Sequence, residues 1–121
     1  MAKITEEAQE MIERFSPALV ATAGRDGRPN VSPKGSFRVL DEEHVVFADI
    51  ASLRTMANLR ENPKIAAMVF DPSSRRGCRI WGEAEILDSG DLFESIKAEY
   101  GARKMKVKHV VRVRVEEIIT F

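Results

Sequence analysis

The sequence predicts a mainly β protein, an antiparallel β-barrel of six strands flanked by small helices. Short apolar segments recur along the chain and are separated by turn residues, a pattern typical of closed antiparallel sheets. Asp26-Gly27 stands between two of these segments, and this dipeptide is favoured in two-residue hairpins, whose strands pair antiparallel. A chain of 121 residues suits one core, so we expect a single domain over residues 1–121.

The first predicted element is an amphipathic helix near the start of the sequence. Its apolar residues recur at helical spacing and form one stripe that faces the core. Thr5 is placed to cap this helix, and Pro17 ends it, because the residue before a proline avoids helical angles. The stripe consists of Ile4, Ala8, Met11, Ile12 and Phe15.

The remaining elements are strands and two further helices. Ser52 is the expected N-cap of the next helix, and Asn62-Pro63 ends it. Pro33 and Gly35 interrupt the second strand, and both are unfavourable in the middle of a paired strand, so we expect something other than plain pairing there. The predictions are strands 18–23, 29–40 and 44–49, a helix 53–61, strands 65–70 and 78–87, a helix 91–100 and a strand 106–115.

The charge balance argues against some classes of partner. The chain has 19 basic and 19 acidic residues, whereas general nucleic-acid binders and proteins of acidic membranes carry excess positive charge. Basic residues are concentrated near the end of the sequence, either as a solvated strand face or as an RNA-binding surface. One Trp and one Tyr offer little base stacking, which weakens the RNA alternative. These basic residues are Arg103, Lys104, Lys106, Lys108, Arg112 and Arg114.

Cysteine usage and hydropathy indicate a compartment. Cys78 is the only cysteine, so no intrachain disulfide forms and nothing points to an oxidising environment. No apolar run resembles a signal peptide or approaches the roughly 20 residues of a membrane span. We therefore expect a cytoplasmic protein that does not bind membranes.

A first candidate site lies where a predicted strand ends and the helix 53–61 begins. Free backbone N–H groups and the helix dipole attract anions at such a point. Ser52 and Thr55 add hydroxyl donors, Arg54 adds a planar charged group that suits phosphate, and Asn58 lies one turn further along. A capped helix with an exposed arginine explains the same residues, so this segment alone leaves phosphate binding open.

A second candidate site is Ser32-Pro33-Lys34-Gly35-Ser36, within the interrupted strand. The break exposes backbone donors and acceptors to a flat ligand, and Gly35 allows a ring to approach closely. Lys34 places a positive charge beside such a ring. The alternative is a β-bulge at a corner of the barrel.

The third candidate is the pair Arg79 and Trp81, which alternate onto the same side of their strand. A Trp beside Gly82 is placed to stack on a ligand or on a partner subunit. The alternative is a half-buried Trp in the core or in a dimer seam.

Other chemistries find little support in the sequence. His44 and His109 have no metal-like spacing to each other or to Cys78, so no metal site is predicted. No Ser-His-Asp or Cys-His arrangement has a recognisable local context, and no dinucleotide fingerprint or phosphate-binding loop is present. Catalytic residues are therefore not assigned.

Three segments, in this order, resemble the FMN-binding split-barrel family related to pyridoxamine 5'-phosphate oxidase. Residues 18–33 look like the family's opening hairpin, and residues 79–84 resemble its later Gly-x-Ala strand. The similarity extends from about residue 15 to residue 115. Between these two segments lie the family's serine, basic residue, Asn-Leu and Asn-Pro, here Ser52, Arg54, Asn58-Leu59 and Asn62-Pro63.

The resemblance implies a split barrel that forms a homodimer with two FMN sites at the subunit interface. On this basis the backbone from Ser32 to Lys34 borders the isoalloxazine ring, and Asn58 supports the loop or the ribityl chain. The partner subunit closes over the ring, with Arg79 and Trp81 as its candidate contributors. The residues expected to hold the phosphate are Ser52, Arg54 and Thr55.

The resemblance also bears on activity. It implies a flavin reductase or a small electron carrier with an unidentified small-molecule or protein redox partner. Arg54 stands where the family often has lysine, which keeps the charge but changes the contact geometry. Pyridoxamine phosphate oxidases carry a C-terminal Arg/His substrate motif, and residues 118–121 lack it, so we do not expect that activity. Relatives that bind a deazaflavin or haem, and a non-redox module for a phosphorylated small molecule, are the alternatives.

Overall fold

The structure, a computed structural model, describes residues 2–121 as seven strands and three helices. All of these strands pair antiparallel in one sheet, which confirms the mainly β prediction, with seven strands instead of six. The helices are α1 (Glu6–Arg14), α2 (Leu53–Glu61) and α3 (Asp91–Gly101). The strands are β1 (Ala18–Ala23), β2 (Pro29–Lys34), β3 (Arg38–Asp41), β4 (His44–Asp49), β5 (Lys64–Asp71), β6 (Arg76–Leu87) and β7 (His109–Thr120).

The additional strand arises where Pro33 and Gly35 interrupt the predicted strand 29–40. β2 ends at Lys34, and the chain turns so that the Phe37 N–H donates to the Lys34 carbonyl oxygen at 3.4 Å. β2 pairs with β1, whereas β3 pairs with β4, so the strand order is β2-β1-β5-β6-β7-β4-β3. Both halves of the predicted strand are therefore edge strands, where a proline costs no ladder bond on its outer side.

The core lies on the inward faces of the long central strands. Val20, Phe47, Val111 and Val113 are almost fully buried there. α1 covers one side, and its predicted cap is confirmed, because Thr5 Oγ1 accepts a hydrogen bond from the Ala8 N–H at 3.2 Å. A second apolar cluster lies beneath α3 and contains Val46, Ala48, Phe93, Ile96, Tyr100, Val107 and Val110.

A bulge interrupts the pairing of β6 with β7. Trp81 pairs with Glu117 and Gly82 pairs with Val115, so Glu116 is an extra residue on β7. A Cβ atom added to Gly82 would lie 2.4 Å from the carbonyl oxygen of Arg114. Glycine is therefore required for the close approach of these two strands.

Two connections position the candidate site. β4 ends at Asp49 and α2 begins at Leu53, so the N-terminus of α2 follows closely on the sheet. β7 begins at His109, which pairs in register with Asp49. Among residues 2–121, no helix has both the length and the apolar character needed to cross a membrane.

Candidate functional site

The N-terminus of α2 is open to an acceptor. Ser52 is the N-cap residue by position, as predicted, but its side chain makes no capping hydrogen bond. Instead the Ser52 hydroxyl donates to Asp49 Oδ1 at 2.8 Å, and the Ser52 N–H donates to the same oxygen at 3.0 Å. The first N–H groups of α2 thus lack the side-chain acceptor that a capping serine provides, and the positive end of the helix dipole remains available to an anion.

A hollow of about 460 Å³ lies beside this helix terminus, and we call it the α2 hollow. Arg54 is exposed there, and Asn58 lines it while donating from Nδ2 to Thr22 Oγ1 at 3.1 Å. This bond ties α2 to β1. The remaining lining residues are Asp26, Arg28, Pro29, Leu53 and Ala57.

Thr55 is buried, whereas Arg54 is exposed. The Thr55 side chain is 1% exposed, and its hydroxyl oxygen is buried without a hydrogen-bond partner among the described residues. A buried hydroxyl with no partner is unfavourable unless a ligand or water satisfies it. The structure therefore does not bring the three predicted phosphate residues together. Arg54 lines the α2 hollow, Thr55 is buried and lines neither hollow, and the proton of the Ser52 hydroxyl is directed to Asp49.

The structure brings the five residues of the second candidate together in another hollow, of about 510 Å³, here called the β2–α3 hollow. Gly35 is exposed at its edge, and nothing lies within 4 Å of a Cβ added there. Across it stand Tyr100 and Arg103, at the end of α3 and just beyond. The full lining is Ser32, Pro33, Lys34, Gly35, Ser36, Ala48, Ile50, Ala51, Tyr100, Arg103 and Met105.

Lys34 is the buried cation of this hollow. Its side chain is turned inward, with Nζ donating to Ser52 Oγ and lying 5.8 Å from the centre of the Phe47 ring. Burial lowers the pKa of the Lys34 ammonium, and the negative charge of Asp49 partly opposes this effect. Lys34 thus brings a positive charge to the β2–α3 hollow. Its ammonium holds its proton less tightly than an exposed lysine does.

Asp49 and His109 were not predicted as site residues, and the structure places both behind Ser52. Asp49 is 3% exposed, and His109 Nδ1 lies 2.9 Å from Asp49 Oδ2. Burial raises the pKa of the Asp49 carboxyl, but hydrogen bonds from His109 and Ser52 outweigh it and hold that pKa below its ordinary value. A single acidic residue ending the apolar strand 44–49 was the available sequence signal.

Arg79 and Trp81 share one side of β6, as predicted, with the Arg79 guanidinium carbon 5.9 Å from the centre of the Trp81 ring. They lie on the outer side of the sheet, away from the β2–α3 hollow of their own chain. The strand registers align them with exposed or half-exposed residues on neighbouring strands. We call this surface the outer face, and it comprises Val31, Pro33, Leu19, Met68, Arg79, Trp81 and Ile119.

Two other features carry no site. Among residues 2–121, no group of three or more His, Cys, Asp and Glu is arranged to hold a metal ion. Burial, with a smaller effect of Glu7, raises the pKa of the Cys78 thiol to about 11, so this thiol is unreactive near neutral pH.

The basic segment near the end of the sequence is partly neutralised. Arg112 pairs with Glu85 at 2.6 Å, and Arg114 lies 3.7 Å from Glu83. β7 therefore presents ion pairs rather than a uniform positive stripe, which argues against the RNA-binding alternative.

The family profile described as pyridoxamine 5'-phosphate oxidase matches residues 4–121. An uncharacterised protein of Methanocaldococcus jannaschii is 31% identical over 122 residues, which cover 98% of this chain and 80% of that protein. The crystal structure of HupZ from Group A Streptococcus has a TM-score of 0.90 at 31% identity, covering 98% of this chain and 94% of that one. A Lactobacillus delbrueckii protein, provisionally named a pyridoxamine 5'-phosphate oxidase, has a TM-score of 0.85 at 27% identity, covering 97% and 93%.

More distant structures share the fold alone. They include an FMN-binding protein from Syntrophomonas wolfei at 20% identity and TM-score 0.86, and an F420 reductase at 24% and 0.70. The haem storage protein HutZ from Vibrio cholerae has a TM-score of 0.74 at 20% identity. The same split-barrel architecture therefore occurs in proteins named for three different cofactors.

Proposed function

The chain belongs to the pyridoxamine 5'-phosphate oxidase family, and from that premise we propose that it is an FMN-binding flavoprotein, a small oxidoreductase or electron carrier. Its cofactor is held non-covalently at the interface of a homodimer. The observation that carries this proposal is the placement of two cations beside the two hollows that β2 connects. Arg54 lines the α2 hollow and Lys34 lines the β2–α3 hollow.

The residues present fit a ligand with an anionic end and a flat end. Pro29 of β2 lines the α2 hollow, and Pro33 lines the β2–α3 hollow. These two residues are four positions apart, which is about 13 Å along an extended strand. The uncapped N-terminus of α2 and Arg54 would hold the phosphate. The β2 backbone near Ser32 and the ammonium of Lys34 would hold the ring.

FMN, when bound, supplies the redox chemistry, and the protein supplies position and electrostatics. Lys34 is the residue of this chain that would bring positive charge to the ring, and a nearby cation favours an added negative charge. The apolar walls of the β2–α3 hollow, formed by Ala48, Ile50 and Met105, would restrict water beside the ring. The proposed redox partner is a small molecule or a protein.

The homodimer is supported by the outer face. Leu19 and Ile119 are each 42% exposed and Val31 is 62% exposed, and their registers connect them through β5 and β6. A continuous apolar surface of this kind marks an interaction site more often than a solvated face. Val31 and Pro33 lie on β2 next to the β2–α3 hollow, so a second copy on this face would bring its Arg79 and Trp81 toward that hollow.

The test is an FMN titration of the purified protein, followed by absorption and by co-elution in gel filtration. Arg54→Ala is expected to weaken FMN binding at least about tenfold, because a charged hydrogen bond to phosphate is worth roughly 1.5–3 kcal/mol. Arg60→Ala is the matched control, since Arg60 is also exposed on α2 but does not line the hollow. We expect Arg60→Ala to bind FMN as the unchanged protein does.

Riboflavin, which lacks the phosphate, separates the two ends of the site. Arg54→Ala is expected to bind riboflavin as the unchanged protein does, whereas Lys34→Met should affect both ligands. A protein that retains no FMN but binds the deazaflavin F420 or haem in the same assay would contradict the FMN assignment. Binding of phosphorylated compounds without any reducible ligand would favour the non-redox module.

A further inference from the structure

We propose that Asp49 is a positioning residue for Lys34: through Ser52 it supplies the counter-charge that keeps the Lys34 ammonium protonated in the β2–α3 hollow, and His109 holds the Asp49 carboxylate in place. The consequence of this role of Asp49 for redox chemistry rests on the proposed function. The arrangement of the four side chains does not rest on that function, because it exists in the protein without a cofactor. Neither Asp49 nor His109 lines either hollow.

The geometry is an unbroken chain of hydrogen bonds from the hollow to the start of β7. Lys34 Nζ donates to Ser52 Oγ, and the Ser52 hydroxyl donates to Asp49 Oδ1 at 2.8 Å. The other carboxylate oxygen, Oδ2, lies 2.9 Å from His109 Nδ1. Asp49 and Ser52 belong to the same turn before α2, whereas Lys34 and His109 are distant in the sequence. The register of β4 with β7 sets Asp49 opposite His109.

The hydrogen-bonded residues Lys34, Ser52 and Asp49 are buried, so the charges of Lys34 and Asp49 depend on each other. Lys34 is 9% exposed, Ser52 7% and Asp49 3%. A buried ammonium without a counter-charge tends to lose its proton, and a buried carboxylate without partners is equally costly. Asp49 has each oxygen hydrogen-bonded, so it is held as a fixed negative charge one hydroxyl away from Lys34. Asp49 therefore opposes the loss of the Lys34 proton that desolvation favours.

Other titratable groups face the same hollow from α3. Arg103 lines it, with its guanidinium carbon 5.1 Å from the centre of the Tyr100 ring, which also lines it. Arg103 is a second positive charge on this hollow, so it does not supply a counter-charge for Lys34. Asp49 is the only carboxylate hydrogen-bonded to the Lys34–Ser52 pair among residues 2–121, so the balance at Lys34 depends on it.

A structural role for Asp49 is the competing explanation, because its bonds to Ser52 also order the turn before α2. The test is an NMR titration of the Lys34 side chain in the cofactor-free protein, with the signal assigned by its loss in Lys34→Met. Asp49→Asn keeps the shape and an acceptor oxygen but removes the charge. We expect it to shift the pKa of Lys34 down by about one pH unit, whereas a merely structural role leaves that pKa unchanged.

A matched control comes from a second Asp–His pair. Asp41 Oδ1 lies 2.8 Å from His44 Nδ1 on the β3–β4 hairpin, and neither side chain contacts Lys34. Asp41→Asn should therefore leave the Lys34 titration unchanged. If Asp49→Asn fails to fold, Ser52→Ala removes the bridging hydroxyl instead and should also lower the pKa of Lys34.

His109→Ala tests the other end of the chain. It is expected to raise the pKa of the Asp49 carboxyl, because it removes a hydrogen bond that stabilises the charged form.

An unchanged Lys34 titration in both Asp49→Asn and Ser52→Ala overturns the inference, whatever the protein binds. A shifted titration in a protein that fails to bind FMN upholds the inference and contradicts the proposed function. If FMN binds, both Asp49→Asn and Lys34→Met should make its midpoint potential more negative.

Discussion

Lys34 is the residue whose environment departs furthest from what its type prefers. Lysine side chains are almost never fully buried unless they are paired. Here the ammonium is enclosed by Phe47 and Ser52 and borders the β2–α3 hollow. Burial lowers the pKa of this ammonium below its ordinary value of 10.5, so its titration is coupled to folding.

This coupling predicts a pH dependence of stability. Folded Lys34 binds its proton less tightly than unfolded Lys34, so the unfolded chain carries more protons between the lowered pKa and 10.5. The free energy of unfolding therefore gains a positive contribution as pH rises through that window. The free energy of unfolding, measured by urea titration at several pH values, should rise less steeply with pH in Lys34→Met than in the unchanged protein. An equal pH dependence in the two proteins would mean that the Lys34 ammonium is as exposed to solvent in the folded chain as in the unfolded chain.

Some residues around the two hollows carry a local signal in the sequence, and others do not. The segment 32–35 could be found because proline and glycine break a strand in a way that the sequence displays. Asp49 and His109 are 60 positions apart and meet only through the register of β4 with β7. Strand register depends on the whole sheet, and no local pattern reveals it. The same limit explains why Ser52 was predicted as a capping side chain, although its hydroxyl bonds to Asp49.

At the scale of elements, the sequence predicted the number of helices but merged two strands. β2 and β3 were read as one strand because alternation continues at Phe37 and Val39 beyond the break at Gly35. The break in fact sends the two halves to opposite edges of the sheet. The predicted last strand, 106–115, begins and ends earlier than β7, which runs from His109 to Thr120 and continues past its bulge.

The close approach of β6 and β7 makes an element-scale prediction. Gly82→Ala places a methyl group against the Arg114 carbonyl oxygen, with Val113 Cγ1 2.8 Å away. We expect a loss of about 1–3 kcal/mol in the free energy of unfolding, measured by urea titration. Gly101→Ala is the control, because nothing lies within 4 Å of its added Cβ at the end of α3. That substitution should leave stability unchanged or raise it by up to about 1 kcal/mol.

At the scale of the whole molecule, the outer face and the two hollows adjoin along β2. A stable homodimer commonly buries about 800 Å² per partner with an apolar centre. The outer face offers such a centre, with the charged Arg79 stacked on Trp81 rather than isolated. Completion of the cofactor site and formation of the dimer would then be one event, and FMN would bind weakly to the monomer.

A charge placed on this face tests the arrangement. Leu19→Glu is expected to give a monomer in sedimentation at micromolar concentration, because a carboxylate in an apolar interface must be desolvated. Leu40→Glu is the matched control, since Leu40 is 38% exposed and Leu19 42%, but Leu40 lies on β3 at the other edge. A Leu19→Glu protein that stays dimeric, or an unchanged protein that is monomeric, would contradict the interface.

The pairing of β4 with β7 also has a consequence for how the chain is made. Asp49 and His109 are 60 residues apart, and closing so long a loop is slow compared with forming a hairpin. On a ribosome that adds roughly 5–20 residues per second, β4 emerges about 3–12 s before its partner. Phe47 and the apolar residues around it must wait through that interval without their final neighbour. While β5, β6 and α3 are still being synthesised, the apolar side of β4 therefore lacks the strand that covers it, and such transient exposure favours aggregation.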